Sequence, residues 1–126
     1  MEILAPIAAG ELIDKITILE IKSARIVDAV KRANVTRELD ALNALRDRHG
    51  LARVSDLAAA LRHVNECLWD IEDEIRELEA EKRFDARFIE LARAVYVTND
   101  RRAALKKEIN LAVGSAIIEE KSYAGS

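Results

Sequence analysis

Four carboxylates repeat along one stretch of the chain. Glu66, Asp70, Asp73 and Glu77 follow one another at steps of four, three and four residues, which places them on one helix face. Like charges at that spacing repel unless something neutralises them. Basic side chains on a neighbouring helix would do so. A divalent cation would also do so, because hard cations take clustered carboxylate oxygens. A second cluster is mixed. Thr98 and Arg102 interrupt an apolar pattern of Phe84, Phe88, Leu91, Val95, Leu105, Ile109 and Ala112, where Leu or Val would be expected. An arginine in a packed seam is costly unless a carboxylate satisfies it. Two roles fit it. A paired Arg102 could fix helix register, as buried polar residues do in coiled coils; a leucine there would then be neutral or stabilising. Alternatively its planar fork could bind a small carboxylate or phosphate.

The elements that position these residues are helices. Leu57, Leu61, Val64, Leu68, Ile71, Ile75 and Leu78 repeat at steps of four and three, a heptad seam that predicts a third helix from Ser55 packed against another long one. A fourth helix starts with Asp85 as N-cap, with Phe84 and Ile89 spaced as a hydrophobic staple, and Gly114 ends it. Only 81–85 joins the two, so they form an antiparallel hairpin. Between Ser55 and Lys82 there are nine acids and three bases; between Arg83 and Val113 there are four acids and seven bases. That complementarity favours the pairing. With the turn near Arg83, Arg102 lies opposite Asn65 and Glu66, and Thr98 opposite Trp69. One level of the hairpin therefore gathers Asn65, Glu66, Trp69, Asp70, Tyr96, Asn99, Arg101 and Arg102 as candidate ligand-binding residues, with Trp69 or Tyr96 as a stacking wall. For a metal the candidates are Glu66, Asp70, Asp73 and Glu77. All-α nucleotide pyrophosphohydrolases use paired acidic motifs on two helices, and Glu74 and Glu77 have the spacing of one pair. The fourth helix offers no second pair, since Glu90 is followed three residues later by Arg93.

The N-terminal stretch GELIDKITILEIK is rich in β-branched residues, but neither set of alternate positions is cleanly apolar, as a half-buried strand would require. Leu12, Ile16, Leu19, Ser23, Ile26 and Val30 follow helical spacing, predicting a helix from Gly10 to Ala33. Ile13, Ile18 and Ile21 widen its apolar face, which implies burial against more than one neighbour. Glu11 and Lys15 form a favourable pair four residues apart. Asp14 and Glu20 are left little open solvent by the wide apolar face; if either reaches Arg101 or Arg102, this stretch belongs to the same polar level. A second helix is expected from Thr36, as N-cap, to Arg48. Ile3–Ile7 and Ala116–Ile118 could pair as a short terminal β-ribbon.

Composition sets outer bounds. The 126 residues predict one helical domain, 1–126; aromatics are 4%, with one Pro and four Gly, a profile of all-α chains rather than β-sandwiches. A net charge of −3 and a basic fourth helix without interleaved aromatics give no reason to expect nucleic acid. The single cysteine, Cys67, rules out an intrachain disulfide. No apolar run reaches the roughly twenty residues of a membrane span, and the first residues do not read as a signal peptide, so a cytoplasmic location is expected. There is no Gly-rich phosphate loop or catalytic triad, and His49 and His63 are not spaced as a ligand pair; no cofactor is expected.

Four separated stretches, GELIDKITILEIK, NECLWDIEDEIRELE, FDARFIELARAVYVTNDRRAALKKEIN and EEKSY, resemble a family of short bacterial proteins known only as a domain of unknown function, family 6165. The likeness covers nearly the whole chain. Members usually carry a Pro just before the Gly–Glu pair, where this chain has Ala8 and Ala9. The resemblance implies a small, mostly helical cytoplasmic protein and no established activity, substrate or cofactor.

The expectation is therefore an all-α four-helix bundle built from two helical hairpins, associating as a homodimer because one copy could hardly cover both the wide first helix and the long third. Three functional readings stand. The first is a non-catalytic, self-associating interaction or scaffolding module, with room for an unidentified protein partner. The second is a binding protein or enzyme for a small anionic ligand at the Asn65/Glu66/Trp69/Arg102 level. The third is a metal-dependent hydrolase on the acidic stripe.

Overall fold

Helical burial overrides strand propensity in GELIDKITILEIK because its apolar residues face three neighbours at once. Leu12, Ile13, Ile16, Leu19 and Ile21 are all buried. A computed structural model describes residues 1–125 of the chain. It contains α1 (Ala9–Arg25), α2 (Ala29–Arg48), α3 (Ser55–Ala80) and α4 (Ala86–Val113), with a 3-10 turn, Leu51–Val54, leading into α3. The fold is all-α. α1 packs against each of the other helices, α3 packs along α4, and α2 touches only α1 and the 3-10 turn. Leu12, Ile13, Ile16, Leu51, Val54, Leu61 and Ile109 form the core cluster.

Three boundaries differ from the sequence expectation. α1 stops at Arg25 instead of Ala33, and α2 starts at Ala29 instead of at Thr36. The cause is Asp28, whose Oδ1 accepts the Lys31 N–H at 2.9 Å. A side-chain cap of this kind competes with helix continuation and wins where burial no longer rewards it. Val30, counted in the α1 seam, is 74% exposed. Ser55 is the first residue of α3 and not its cap, because the 3-10 turn feeds straight into the helix. No β-ribbon joins the termini: among the described residues there is no strand, and Ile3 and Leu4 are exposed.

Other expectations are met. Asp85 stands at the N-cap of α4, and Gly114 closes it in the left-handed conformation, φ 67°. Phe84 meets the ring of Phe88 edge-on at 5.1 Å, while Ile89, its expected staple partner, is exposed. The α3–α4 connection turns through Lys82, a non-glycine residue at φ 56°, with the Arg83 N–H bonded to the Leu78 carbonyl at 2.9 Å. No helix among the described residues is long and apolar enough to cross a membrane.

α1 runs parallel to α3 and antiparallel to α4. Its first turn meets Lys106 and Asn110, and its last residue, Arg25, reaches Asp70. At 1.5 Å per residue α1 spans about 26 Å against about 39 Å for α3, so the outer part of the α3–α4 hairpin extends past it. The α3 seam records this. Leu61 and Val64 are buried beside α1, Leu68, Ile71 and Ile75 are half-buried, and Leu78 is buried again near the turn, against α4 alone.

The end of α4 caps α1. Ala8, at the N-cap, offers no side-chain acceptor. The Ala9 N–H instead donates to Ser115 Oγ at 3.1 Å and the Gly10 N–H to Asn110 Oδ1 at 2.7 Å. Two of the donors every helix start leaves open are thus satisfied from a different element. Contact this close requires glycine. A Cβ on Gly10 would strike the Lys106 carbonyl oxygen, lie 2.9 Å from its carbon and 3.0 Å from Asn110 Oδ1. Gly10→Ala is therefore expected to destabilise the protein by about 1–3 kcal/mol through overpacking against backbone, measured by urea unfolding. An unchanged midpoint would mean that α1 and α4 do not approach this closely.

Candidate functional site

Asp14 organises the polar centre. Its side chain is 1% exposed, and burying an unpaired carboxylate is prohibitive, so its partners are the first question. Arg102 donates from Nε to Oδ1 at 3.0 Å and from Nη2 to Oδ2 at 2.5 Å, a bidentate fork. Asn65 Nδ2 donates to the same Oδ1 at 2.9 Å and also to Thr17 Oγ1 at 2.9 Å. Thr17 Oγ1 in turn donates to the Asp14 carbonyl at 2.8 Å. Three helices therefore contribute to one hydrogen-bonded network. The carboxylate beside Arg102 raises the guanidinium pKa further, against the pull of burial. Of the two acids of α1, Asp14 meets Arg102, while Glu20, whose side chain is 36% exposed, meets Arg62 of α3 and not an arginine of α4, at 3.5 Å.

The eight ligand-binding candidates divide between two sides of this network. Asn65 and Arg102 belong to it, as the level arithmetic predicts. Glu66 accepts from Arg62 at 2.9 Å. Asp70 accepts from Arg25 at 2.6 Å, and Arg25 also lies 5.7 Å over the ring of Trp69. These three close the α1 side. Tyr96, Asn99 and Arg102 face the other way and line a cavity, while Arg101 is exposed outside that lining.

The acidic stripe does not converge. Glu66 and Asp70 are taken by arginines, and Asp73 and Glu77 are exposed. Among the described residues no group of three or more His, Cys, Asp or Glu side chains could hold a metal ion. Nor does α4 neutralise the stripe as expected. Arg87 forks onto Glu74, at 2.6 Å to each oxygen, but Arg102 and Lys106 turn to α1 and Lys107 to the C-terminal segment.

That segment, residues 119–125, builds the second wall of the cavity, about 1030 Å³ in volume and open to solvent. Lys106 Nζ bridges Glu11 at 2.7 Å and Glu119 at 3.1 Å. Lys107 reaches Glu120 at 3.2 Å. Lys121 donates to Asp100 at 2.6 Å and lies 5.2 Å from the ring centre of Tyr123. Burial pulls the Lys106 pKa down, but its bonds to Glu11 and Glu119 outweigh that and leave it raised. A raised lysine contributes in full below its ordinary value and is lost as pH rises through the higher one, so the lysine's share of this clasp is in place at neutral pH and is lost in strong alkali. Sequence reading missed Glu11, Asp100, Lys106, Glu119, Lys121 and Tyr123 as lining residues. The stretch EEKSY was conspicuous, but no helical period extends to it and nothing local says where it docks.

With the geometry in place, the chain can be compared with known proteins. The model of a family of unknown function, DUF6165, matches residues 3–126. The chain belongs to that family. No curated protein and no solved structure matches it. All four stretches that carry the resemblance meet in this DUF6165 structure: GELIDKITILEIK supplies Glu11 and Asp14, NECLWDIEDEIRELE supplies Asn65 against Asp14, the α4 stretch supplies Tyr96, Asn99, Arg102 and Lys106, and EEKSY supplies the facing wall.

The burial of Asp14 reverses one expectation. Replacing Arg102 with leucine would leave an uncompensated buried carboxylate, so Arg102→Leu is predicted to cost about 3–5 kcal/mol. Urea unfolding at fixed protein concentration measures it, and a neutral or stabilised variant would show that Asp14 does not depend on Arg102.

Proposed function

We propose that this chain is a non-catalytic interaction module that associates with a second copy of itself through the outer half of the α3–α4 hairpin. The observation that carries the reading is the uncovered apolar surface there. In the outer half of the hairpin Leu78 and Leu91 are buried between the two helices, but Ile71 and Ile75 are only half-buried, Phe84 is exposed, and Ile89 and Val97 are each 58% exposed. Charge supports a second copy as the occupant. Outer α3 is acidic, with Glu72, Asp73, Glu77 and Glu79, and outer α4 carries Arg93 beside Arg83 and Arg87, which already pair with Asp85 and Glu74 in the same chain. In a two-fold arrangement the acidic helix of each copy lies on the basic helix of the other, which is self-complementary. The polar centre suits a structural role as well, because both carboxylate oxygens of Asp14 accept from Arg102 and the Asn65 amide donates to Asp14 and Thr17. A reducing, cytoplasmic location belongs to the same proposal and rests on the unpaired Cys67.

Size-exclusion chromatography with light scattering should give a dimer at micromolar concentration. The double substitution Ile89→Glu and Val97→Glu should give a monomer of unchanged helical content. A wild-type monomer, or a variant that stays dimeric, would overturn the proposal.

A further inference from the structure

We propose that the cavity between α4 and residues 119–125 is a binding site for an uncharged, polyhydroxylated small molecule such as a sugar or a cyclitol. This inference is independent of self-association. Its volume, about 1030 Å³, is at the upper end of the roughly 300–1,000 Å³ of small-molecule sites. The ligand class follows from the lining. Three cations, Arg102, Lys106 and Lys121, meet four carboxylates, Glu11, Asp100, Glu119 and Glu120. Each of the three cations already has a carboxylate partner: Asp14 for Arg102, Glu11 and Glu119 for Lys106, Asp100 for Lys121. An anion entering here finds every cation paired and the acids in excess, so it would have to displace a carboxylate and then sit among the others. A hydroxyl faces no such cost. It donates to a carboxylate and accepts from an ammonium or an amide at once, and the lining holds both kinds of group, with Asn99 adding both functions of an amide. Tyr96 and Tyr123 supply aromatic surface on the two opposing walls, suited to the apolar C–H faces that a sugar or cyclitol presents between its hydroxyls.

Saturation-transfer NMR on the full chain tests this with D-glucose, D-galactose, N-acetyl-D-glucosamine and myo-inositol as neutral probes, and citrate and glucose 1-phosphate as anionic ones. At least one neutral probe should receive saturation at its ring C–H protons, and more strongly than either anion. Its affinity should fall about tenfold in Tyr96→Ala, the order expected when an aromatic contact is lost. Tyr123→Ala lies outside the helices and should show the same loss, so the test survives if the helix substitution disturbs folding. The proposal is overturned if no neutral probe is saturated, if the signal is undiminished in both tyrosine variants, or if the anions bind in preference.

Discussion

Everything in this fold is arranged around a carboxylate that cannot reach water. Asp14 lies on the helix that touches every other helix, and its side chain is almost wholly enclosed. A carboxylate in that position is tolerable only if fixed donors replace its hydration. They come from α3 through Asn65 and from α4 through Arg102. Because the donors sit on different helices, the requirement is also geometric: sliding α1 by one turn against either neighbour would strand the charge. The apolar residues around it supply most of the driving force for burial, but apolar seams tolerate register shifts that a bidentate ion pair does not.

The same constraint shapes the surface. Locking α1 into this register brings Gly10 against the backbone of α4 and lets Asn110 and Ser115 cap the helix. It also places Glu11 beside Lys106, and Lys106 then holds Glu119 and with it the C-terminal segment. The cavity is thus a consequence of the core, one ion pair removed from Asp14. Its far wall is held by exposed pairs that salt weakens, whereas the α4 wall, through Arg102, is tied to the buried network.

Much of this was legible in the sequence where period and burial agree. The α3 and α4 seams, the Asp85 start, the Gly114 stop and the hairpin follow from spacing alone, and Arg102 was conspicuous as a charge in an apolar row. Asp14 was conspicuous for the opposite reason, as a charge with no solvent to face. Their pairing was out of reach because it spans 88 positions and depends on how α1 docks. The Ile26–Asp28 break was hidden because an apolar period runs on through Ile26 and Val30, and one aspartate cap overrode it. The C-terminal wall was illegible because ion pairs to α4, and no periodic pattern, position it.

A double-mutant cycle at Asp14 and Arg102, followed by urea unfolding at fixed protein concentration, tests the central claim most directly. If the pair is the constraint described, Asp14→Leu combined with Arg102→Leu removes both charges together. The double variant should then be more stable than Arg102→Leu alone, with a coupling energy of about 1–3 kcal/mol. Additivity of the two single substitutions to within about 0.5 kcal/mol would contradict the account.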